Sequence, residues 1–424
     1  KKLKFGLKYA LTLQPKLCRL SPMITMLQSK VGLVTHFLLL CNVRASMPCV
    51  TCIPPQHSWA TLPVSFHSSE EHSTRDGGFT DEELKTISKF PLVTIEKWQG
   101  QAASRFLWEE DAMIVAARQV KANNPNTSIV VWFDSFRVYT GWNYPSSRSM
   151  NHTLNPDAKA PCATGHSRAA EFMEVHRHYL LINRSNLPAL DSWSHCHIYD
   201  HRQQVVRDFW RDTCLAMTAS GVVDGCGADA SWQTGWAQRE AWGLDDETAR
   251  AWRHGHEQMM RDTMKALGEG LLVGKNADEV GVYVSAALHE GCAAENATIQ
   301  TLQDLARRAR ATQQRLVYQC HVKCPSAAAC VDNAAAFLIG AGDDHYFLTG
   351  TWRSGPADEG SFATHWLPEL FEPALGEPLA DGVYDLDSAT WSRTFQSGTR
   401  VRFNAQTKKG SIMWASMAPQ SIAV

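Results

Sequence analysis

The feature that most constrains this chain is a repeated alternation of short apolar runs with longer stretches in which apolar residues recur every three or four positions. The short runs, at residues 92–95, 128–133, 178–183, 220–229, 270–274, 282–288, 315–320 and 345–349, read as buried strands. Residues 102–122, 200–220, 246–267, 298–310 and 330–339 carry helical spacing, the first of them stopped by Asn123-Asn-Pro125. Eight strands alternating with helices predict an α/β chain folded as a closed parallel (β/α)8 TIM barrel, whose chemistry belongs on the loops that follow the strands. Residues 178–183 are the weakest of the eight, and without them an open doubly wound sheet is the alternative.

At 424 residues the chain exceeds such a barrel, which takes roughly 250. Residues 80–377 are assigned to it. After residue 378 the texture changes to a period of two, in Trp391-Ser-Arg-Thr-Phe395, Thr399-Arg-Val-Arg-Phe403 and Ser411-Ile-Met-Trp414. Residues 378–424 therefore read as a small antiparallel β appendage, too short to fold alone and expected to pack on the barrel. Residues 46–79, with Pro48, Pro54, Pro55, Pro63 and Gly77-Gly78, read as a linker. Residues 1–25 read as an extension without structure. Lys30, the apolar run Val31 to Cys41 and the small-residue site at Val43-Arg-Ala45 then have the layout of a secretory signal peptide. That run is too short to span a bilayer, and no later segment approaches the roughly 20 apolar residues a spanning helix needs.

Charge is balanced, 41 Lys+Arg against 43 Asp+Glu, which argues against nucleic acid or a membrane surface as a partner, since both need a positive field. The sequence sets no oligomeric state. Four acceptor sequons, at Asn126, Asn151, Asn183 and Asn296, and an even number of cysteines beyond Cys41 fit a secreted or endomembrane-lumen glycoprotein with disulfides. Cys320-His-Val-Lys-Cys324 and Cys330, with His195-Cys-His197, could in principle ligate zinc. The spacing matches no compact zinc module, so a local disulfide is expected instead, and neither a metal nor a cofactor.

The run Ser220-Gly-Val-Val-Asp-Gly-Cys-Gly-Ala-Asp229 carries the most chemistry, because small and β-branched residues suit a strand buried on both faces and a carboxylate there needs a task or a partner. Glycoside hydrolysis requires two carboxyl groups flanking the scissile bond. Asp229 is assigned as nucleophile and Glu290 as acid/base, on the expectation that the fourth and sixth strands stand opposed across one sugar. Glu96, Asp134 and Asp343 are placed to bind hydroxyls, with Asp224 as a supporting or structural carboxylate. Trp is unusually abundant, at 15 residues; Trp98, Trp132, Trp142, Tyr144, Trp232 and Trp352 lie at or just after strand ends, where rings can stack on sugar faces. A lectin-like barrel without catalysis and a structural extracellular barrel are the alternatives. A metal-dependent amidohydrolase would need His-x-His on the first strand, which carries none.

The blocks Thr94-Ile-Glu-Lys-Trp-Gln-Gly100, Ser220 to Asp229, Ala336-Phe-Leu-Ile-Gly-Ala-Gly342, Leu375-Gly-Glu-Pro-Leu379 and Trp391 to Thr399 resemble the signature blocks of a glycoside-hydrolase-like (β/α)8 barrel family. The resemblance spans residues 80–415 and implies a TIM barrel with a short C-terminal β-region and a glycosidase ancestry. The spacing of Asp224 and Asp229 also resembles the fourth strand of α-galactosidase-type enzymes, which implies a nucleophilic role for Asp229. Two positions depart from the pattern: Gly227 stands where a bulky aromatic is expected, and Asp134 where Asn is more usual.

Overall fold

The computed structural model describes residues 57–68, 77–97, 99, 108–138, 168–191, 196–229, 239–277, 282–313, 315–322, 324, 326–350 and 366–415. The expected signal peptide lies outside these, as do Trp98, Trp142, Tyr144, Trp232 and Trp352.

Strands β1 (Val64–His67), β2 (Leu92–Ile95) and β3 (Ser128–Asp134) precede a short pair, β4 (Arg137–Val138) and β5 (His197–Ile198). They are followed by β6 (Gly225–Asp229), β7 (Leu271–Lys275), β8 (Ala286–Glu290), β9 (Val317–His321) and β10 (His345–Gly350). All of these except β4 and β5 form a closed eight-stranded barrel in the order β1, β2, β3, β6, β7, β8, β9, β10, with every pairing parallel. The described helices are α1 (Asp81–Ile87), α2 (Glu109–Asn123), α3 (Arg168–Val175), α4 (Gln204–Thr218), α5 (Asp246–Leu267), α6 (Asn296–Thr312), α7 (Ala327–Gly340) and α8 (Pro368–Phe371).

Period-two alternation decides the packing. One set of strand residues, including Leu92, Val130, Trp132, Val273, Leu288 and Leu348, forms a core of its own. Their neighbours Val93, Ile129, Val131, Cys226, Leu272 and Phe347 join a second core with Met113, Trp210, Met259, Leu302 and Phe337 from the helices. The first set fills the barrel and the second binds the helical layer to it.

Two expectations are corrected. Val64–His67 lies in the stretch read as linker, yet it is the strand that closes the ring between β2 and β10. Four residues next to Pro63 are too few to show a period. Residues 178–183 are not in the barrel: Leu180 bridges Tyr199 and Ile182 bridges Pro188 in an excursion between β3 and β6. That excursion has small cores of its own, Leu181, Ala189 and Ile198 packing with Phe136, Trp242 and Trp252.

The C-terminal region forms a four-stranded antiparallel meander, β11 (Val383–Asp385), β12 (Thr390–Thr394), β13 (Arg400–Asn404) and β14 (Lys409–Met413). It packs on α7 closely enough that a Cβ built on Gly410 would meet Ala335 Cβ at 2.5 Å and Asp332 Cα at 3.1 Å. Buried Arg393 donates to the carbonyls of Leu338 and Ala341 at 2.8 and 2.6 Å, satisfying groups that the end of α7 leaves open. Disulfides join Cys214 to Cys226, Cys292 to Cys320 and Cys324 to Cys330. The last is the local bridge expected in that segment; Cys196 is disulfide-bonded as well.

Candidate active site

The inward-facing positions change character at the C-terminal ends of the strands. Below, the barrel is filled mainly by aliphatic groups and Trp132; above stand His67 on β1, Glu96 just past β2, Asp134 on β3, Asp229 on β6, Lys275 on β7, Glu290 on β8 and His321 on β9. Each occupies the end of its strand, so parallel pairing gathers them into one ring at the mouth.

Most of this ring is joined by ion pairs. His67 Nε2 lies 2.9 Å from Glu96 Oε2, and Glu96 Oε1 lies 2.8 Å from Lys97 Nζ. Lys97 Nζ then reaches Asp229 Oδ2 at 2.9 Å. Lys275 Nζ lies 3.0 Å from Asp229 Oδ1 and 3.0 Å from Glu290 Oε2. The Glu290 backbone N–H is fixed on Asn276 Oδ1 at 2.9 Å. The joined groups thus alternate between basic side chains, His67, Lys97 and Lys275, and the carboxylates Glu96, Asp229 and Glu290.

The two strand-end aspartates are register partners on β3 and β6, with opposite electrostatics. Burial would raise the Asp229 carboxyl, but Lys97, Lys275 and Arg137 outweigh it and hold it well below the usual carboxylate range. Burial likewise opposes ionisation of Glu96, and Lys97 with His67 brings it below its ordinary value. Asp134 is raised, by burial first and by the charge of Asp229, against the pull of Arg137 and Lys97. Such divergence can mark an acid and its partner, but geometry decides otherwise. Asp134 Oδ1 accepts from the backbone N–H groups of Phe136 and Arg137 at 3.0 and 2.7 Å, and Oδ2 pairs with Arg137 Nη1 at 3.3 Å. Its carboxylate is folded onto its own turn. Burial acts against the charge on Lys275 too, yet Asp229 and Glu290 raise it above the ordinary lysine value.

The main chain of Asp229 is held from behind. Its carbonyl accepts from Ser135 Oγ at 2.8 Å and Ser135 N–H at 3.2 Å, which leaves the hydroxyl oxygen to accept from His256 Nε2 at 3.1 Å. Burial pushes His256 well below its ordinary value, so this strut is neutral.

The structure revises several roles. Asp224, read as a supporting or structural carboxylate, has the structural arrangement: it precedes β6 at the opposite end of the barrel, where Oδ2 accepts from Ile129 N–H at 2.7 Å and pairs with Lys121 at 2.8 Å. Asp343 precedes β10 at that same end and accepts from Trp59 Nε1 at 2.9 Å. A residue just before a strand faces the wrong mouth. Trp132 is no stacking platform at the surface; it is fully buried inside the barrel, edge-on to His67. It also accounts for Gly227, because a Cβ there would lie 1.7 Å from Trp132 Cε3. The aromatic bulk expected at residue 227 is supplied by the neighbouring strand. Asp229 and Glu290 do meet, although their strands are separated by one strand rather than opposed.

Lys97, Lys275 and His67 were missed by the sequence reading, and His321 entered it only within the possible zinc cluster. Lys275 closes an apolar run and Lys97 follows a strand-end Glu, signals that a search for carboxylates and aromatics passes over. His67 lay in the supposed linker. The sulfurs of Cys320, Cys324 and Cys330, considered for zinc, are in disulfides. Among the described residues no group of His, Cys, Asp and Glu is arranged to hold a metal ion.

The glycoside hydrolase domain of PelA from Pseudomonas aeruginosa is similar to 68% of this chain at 12% identity, covering 94% of that domain with a TM-score of 0.40. The α-galactosidase AgaA from Geobacillus stearothermophilus aligns over 82% of this chain at 11% identity and a TM-score of 0.42. An α-galactosidase from Lactobacillus brevis gives 82%, 11% and 0.44. The chain spans about half the length of these α-galactosidases, 48% and 46%. No curated protein matches it. The sequence match that does extend over most of the molecule covers residues 121–399, and by it the protein belongs to the family described as hypothetical glycosyl hydrolase family 15.

Proposed function

We propose that this protein is an O-glycoside hydrolase acting on an oligo- or polysaccharide, with Asp229 as nucleophile and Glu290 as acid/base. The observation that carries this reading is the meeting of both carboxylates on one ammonium. Because Asp229 Oδ1 and Glu290 Oε2 are each 3.0 Å from Lys275 Nζ, they lie no farther apart than twice that distance. This supports the retaining geometry, with carboxyl groups about 5–5.5 Å apart, over the wider inverting one. Asp229, held ionised, suits attack on an anomeric carbon, while Glu290, with its side chain 28% exposed, can reach a leaving-group oxygen.

The alternation of cations with carboxylates also bears on the substrate. Each described cation in the ring is compensated, which favours neutral hydroxyls, able to donate to Glu96 and accept from Lys97, over a uronate. Export is proposed as well. The disulfides Cys214–Cys226, Cys292–Cys320 and Cys324–Cys330 fit an oxidising compartment. Of the sequons, Asn126 is exposed, whereas Asn296 Oδ1 is engaged by Trp391 Nε1 at 2.7 Å. Asn126 is then the preferred glycan acceptor.

A screen of aryl glycosides of both anomers tests the activity. Turnover by the wild type that is lost in Asp229→Asn and Glu290→Gln supports the assignment; turnover that survives both overturns it. Sugar binding without turnover of any glycoside would make the barrel a lectin.

A further inference from the structure

Lys275 stands where a substrate has to pass. It ends β7, the strand between those of Asp229 and Glu290, and its ammonium fills the gap between the two carboxylates. The partners on either side are unequal. Asp229 has a second cation, Lys97 at 2.9 Å from its other oxygen, whereas among the described residues Lys275 is the ion-pair partner of Glu290. Glu290 Oε2 is also the oxygen turned toward Asp229, because the same nitrogen touches both. A glycosidic oxygen cleaved between these groups must come within hydrogen-bond distance of Glu290.

We propose that Lys275 is a displaceable bridge, a positioning residue that fixes the spacing of Asp229 and Glu290 until a sugar enters and then yields its place at Glu290 while remaining on Asp229. This rests on the glycosidase reading and deepens it. Before binding, the ammonium keeps two nearby carboxylates from repelling one another. On binding, the sugar hydroxyls and the leaving-group oxygen replace one ion pair, and Glu290, whose side chain is part-exposed, takes from solvent the proton it delivers to that oxygen. Asp229 stays ionised throughout. The charged groups around it support this: Lys97 from beyond β2, Asp134 and Arg137 from β3 and its following turn, Lys275 from β7 and Glu290 from β8, with His321 of β9 as register partner of Glu290.

The test compares wild type with Lys275→Met and Lys275→Arg in three measurements: sugar affinity by calorimetry, kcat and KM against pH on aryl glycosides, and titration of the Asp229 carboxyl by carbon NMR in the unliganded protein. In Lys275→Met, sugar affinity should be unchanged or several-fold tighter, since no ion pair has to open, while kcat falls roughly ten- to a hundred-fold as the carboxylates lose their spacing. The acidic limb of kcat/KM and the Asp229 titration should both move to higher pH. Lys275→Arg should keep the wild-type limb. A merely structural lysine would lower kcat without moving either.

Weaker sugar binding in Lys275→Met would make Lys275 a direct substrate ligand and overturn the bridge. An unmoved Asp229 titration overturns it as well, whatever the activity. If Asp229 shifts and sugars bind the Met variant at least as tightly as the wild type, but the wild type turns over no glycoside, the bridge stands and the glycosidase reading fails; if no sugar binds the wild type, both fail. Should the Met variant not fold, Lys275→Gln, which keeps a polar end without the charge, takes its place with the same outcomes.

Discussion

Asp229 and Asp224 lie five residues apart around the same strand, each buried and each on a lysine, yet they do opposite work. At the upper mouth Asp229 shares two ammonium groups with Glu96 and Glu290, so its pairs can be exchanged for a ligand without leaving a charge alone. At the lower end Asp224 has a closed arrangement: Lys121 of α2 on the outside and the Ile129 N–H at the base of β3. Cations lower the Asp229 carboxyl, whereas burial raises that of Asp224 against the pull of Lys121 and Ile129. What separates the carboxylate proposed as functional is its surplus of shared partners. Burial and a lysine alone mark a staple.

The sharpest way to break this comparison is to neutralise each aspartate in turn. Asp229→Asn should cut glycoside turnover by roughly three orders of magnitude or more while the fold survives. Asp224→Asn should leave turnover within a few-fold and should not lower stability near neutral pH, because burial outweighs the pull of Lys121 and Asn resembles the protonated carboxyl that the fold favours. Steady-state kinetics and denaturant unfolding of both variants decide; an Asp224→Asn that kills turnover at unchanged stability would end the distinction.

A second contrast concerns the disulfides. Cys292 follows Glu290 by two residues and Cys320 precedes His321, so this bridge ties two strand ends at the mouth. Cys214–Cys226 ties α4 to the outer face of β6. Replacing either pair by Ala should cost about 2–4 kcal/mol. Turnover should fall roughly ten-fold further for the Cys292/Cys320 variant, because a small displacement of Glu290 is costly.

A third concerns Gly227. Substitution by Ala places a methyl against the Trp132 ring inside the barrel, and a loss of about 1–3 kcal/mol is expected in thermal or denaturant unfolding. Gly221 has nothing within 4 Å of a built Cβ but sits at φ +74°, so Gly221→Ala should cost less, about 1 kcal/mol, through backbone strain alone.

The smallest effect is in the pH dependence of stability. The folded-state value of Asp229 is depressed, so its contribution is present above the unfolded value near 3.9 and is lost as pH falls through the lower folded value. Asp224 is raised, so folding favours its protonated form: stability from this group is fullest below about 3.9 and is lost as pH rises through the folded value. Asn at residue 229 should flatten the acid-side decline, and Asn at residue 224 should remove the opposing slope. Equal slopes in the two variants would contradict the assignment of their environments.

Much of the barrel was legible in the sequence. Runs such as Ser128 to Phe133 combine β-branched and aromatic residues that only a strand buried on both faces accommodates, and the helix read at 246–267 has those bounds in the structure, opened by Asp245 as N-cap. Val64–His67 was not legible because four residues carry no measurable period, and residues 178–183 misled because Leu180 and Leu181 are buried against a local excursion. At the site, Asp229 and Glu290 could be read as strand-end carboxylates. Asp343 could have been excluded, because it precedes the run read as a strand at 345–349 and so stands at the end of the barrel away from the loops that follow the strands.

The sequence by itself determined the strand–helix alternation, the closed parallel barrel it implies and the placement of acidic residues at strand ends, because period and burial are local properties of the chain. Which of those residues share a mouth was decided only by the tertiary structure. Lys97, Lys275 and His67 come from three different strands, and their effect on Asp229 and Glu96 depends on distances of about 3 Å that barrel closure and register set. Coulombic coupling falls with spatial separation and is indifferent to separation along the chain, so no reading of one segment at a time could have found the lysine that joins the two carboxylates.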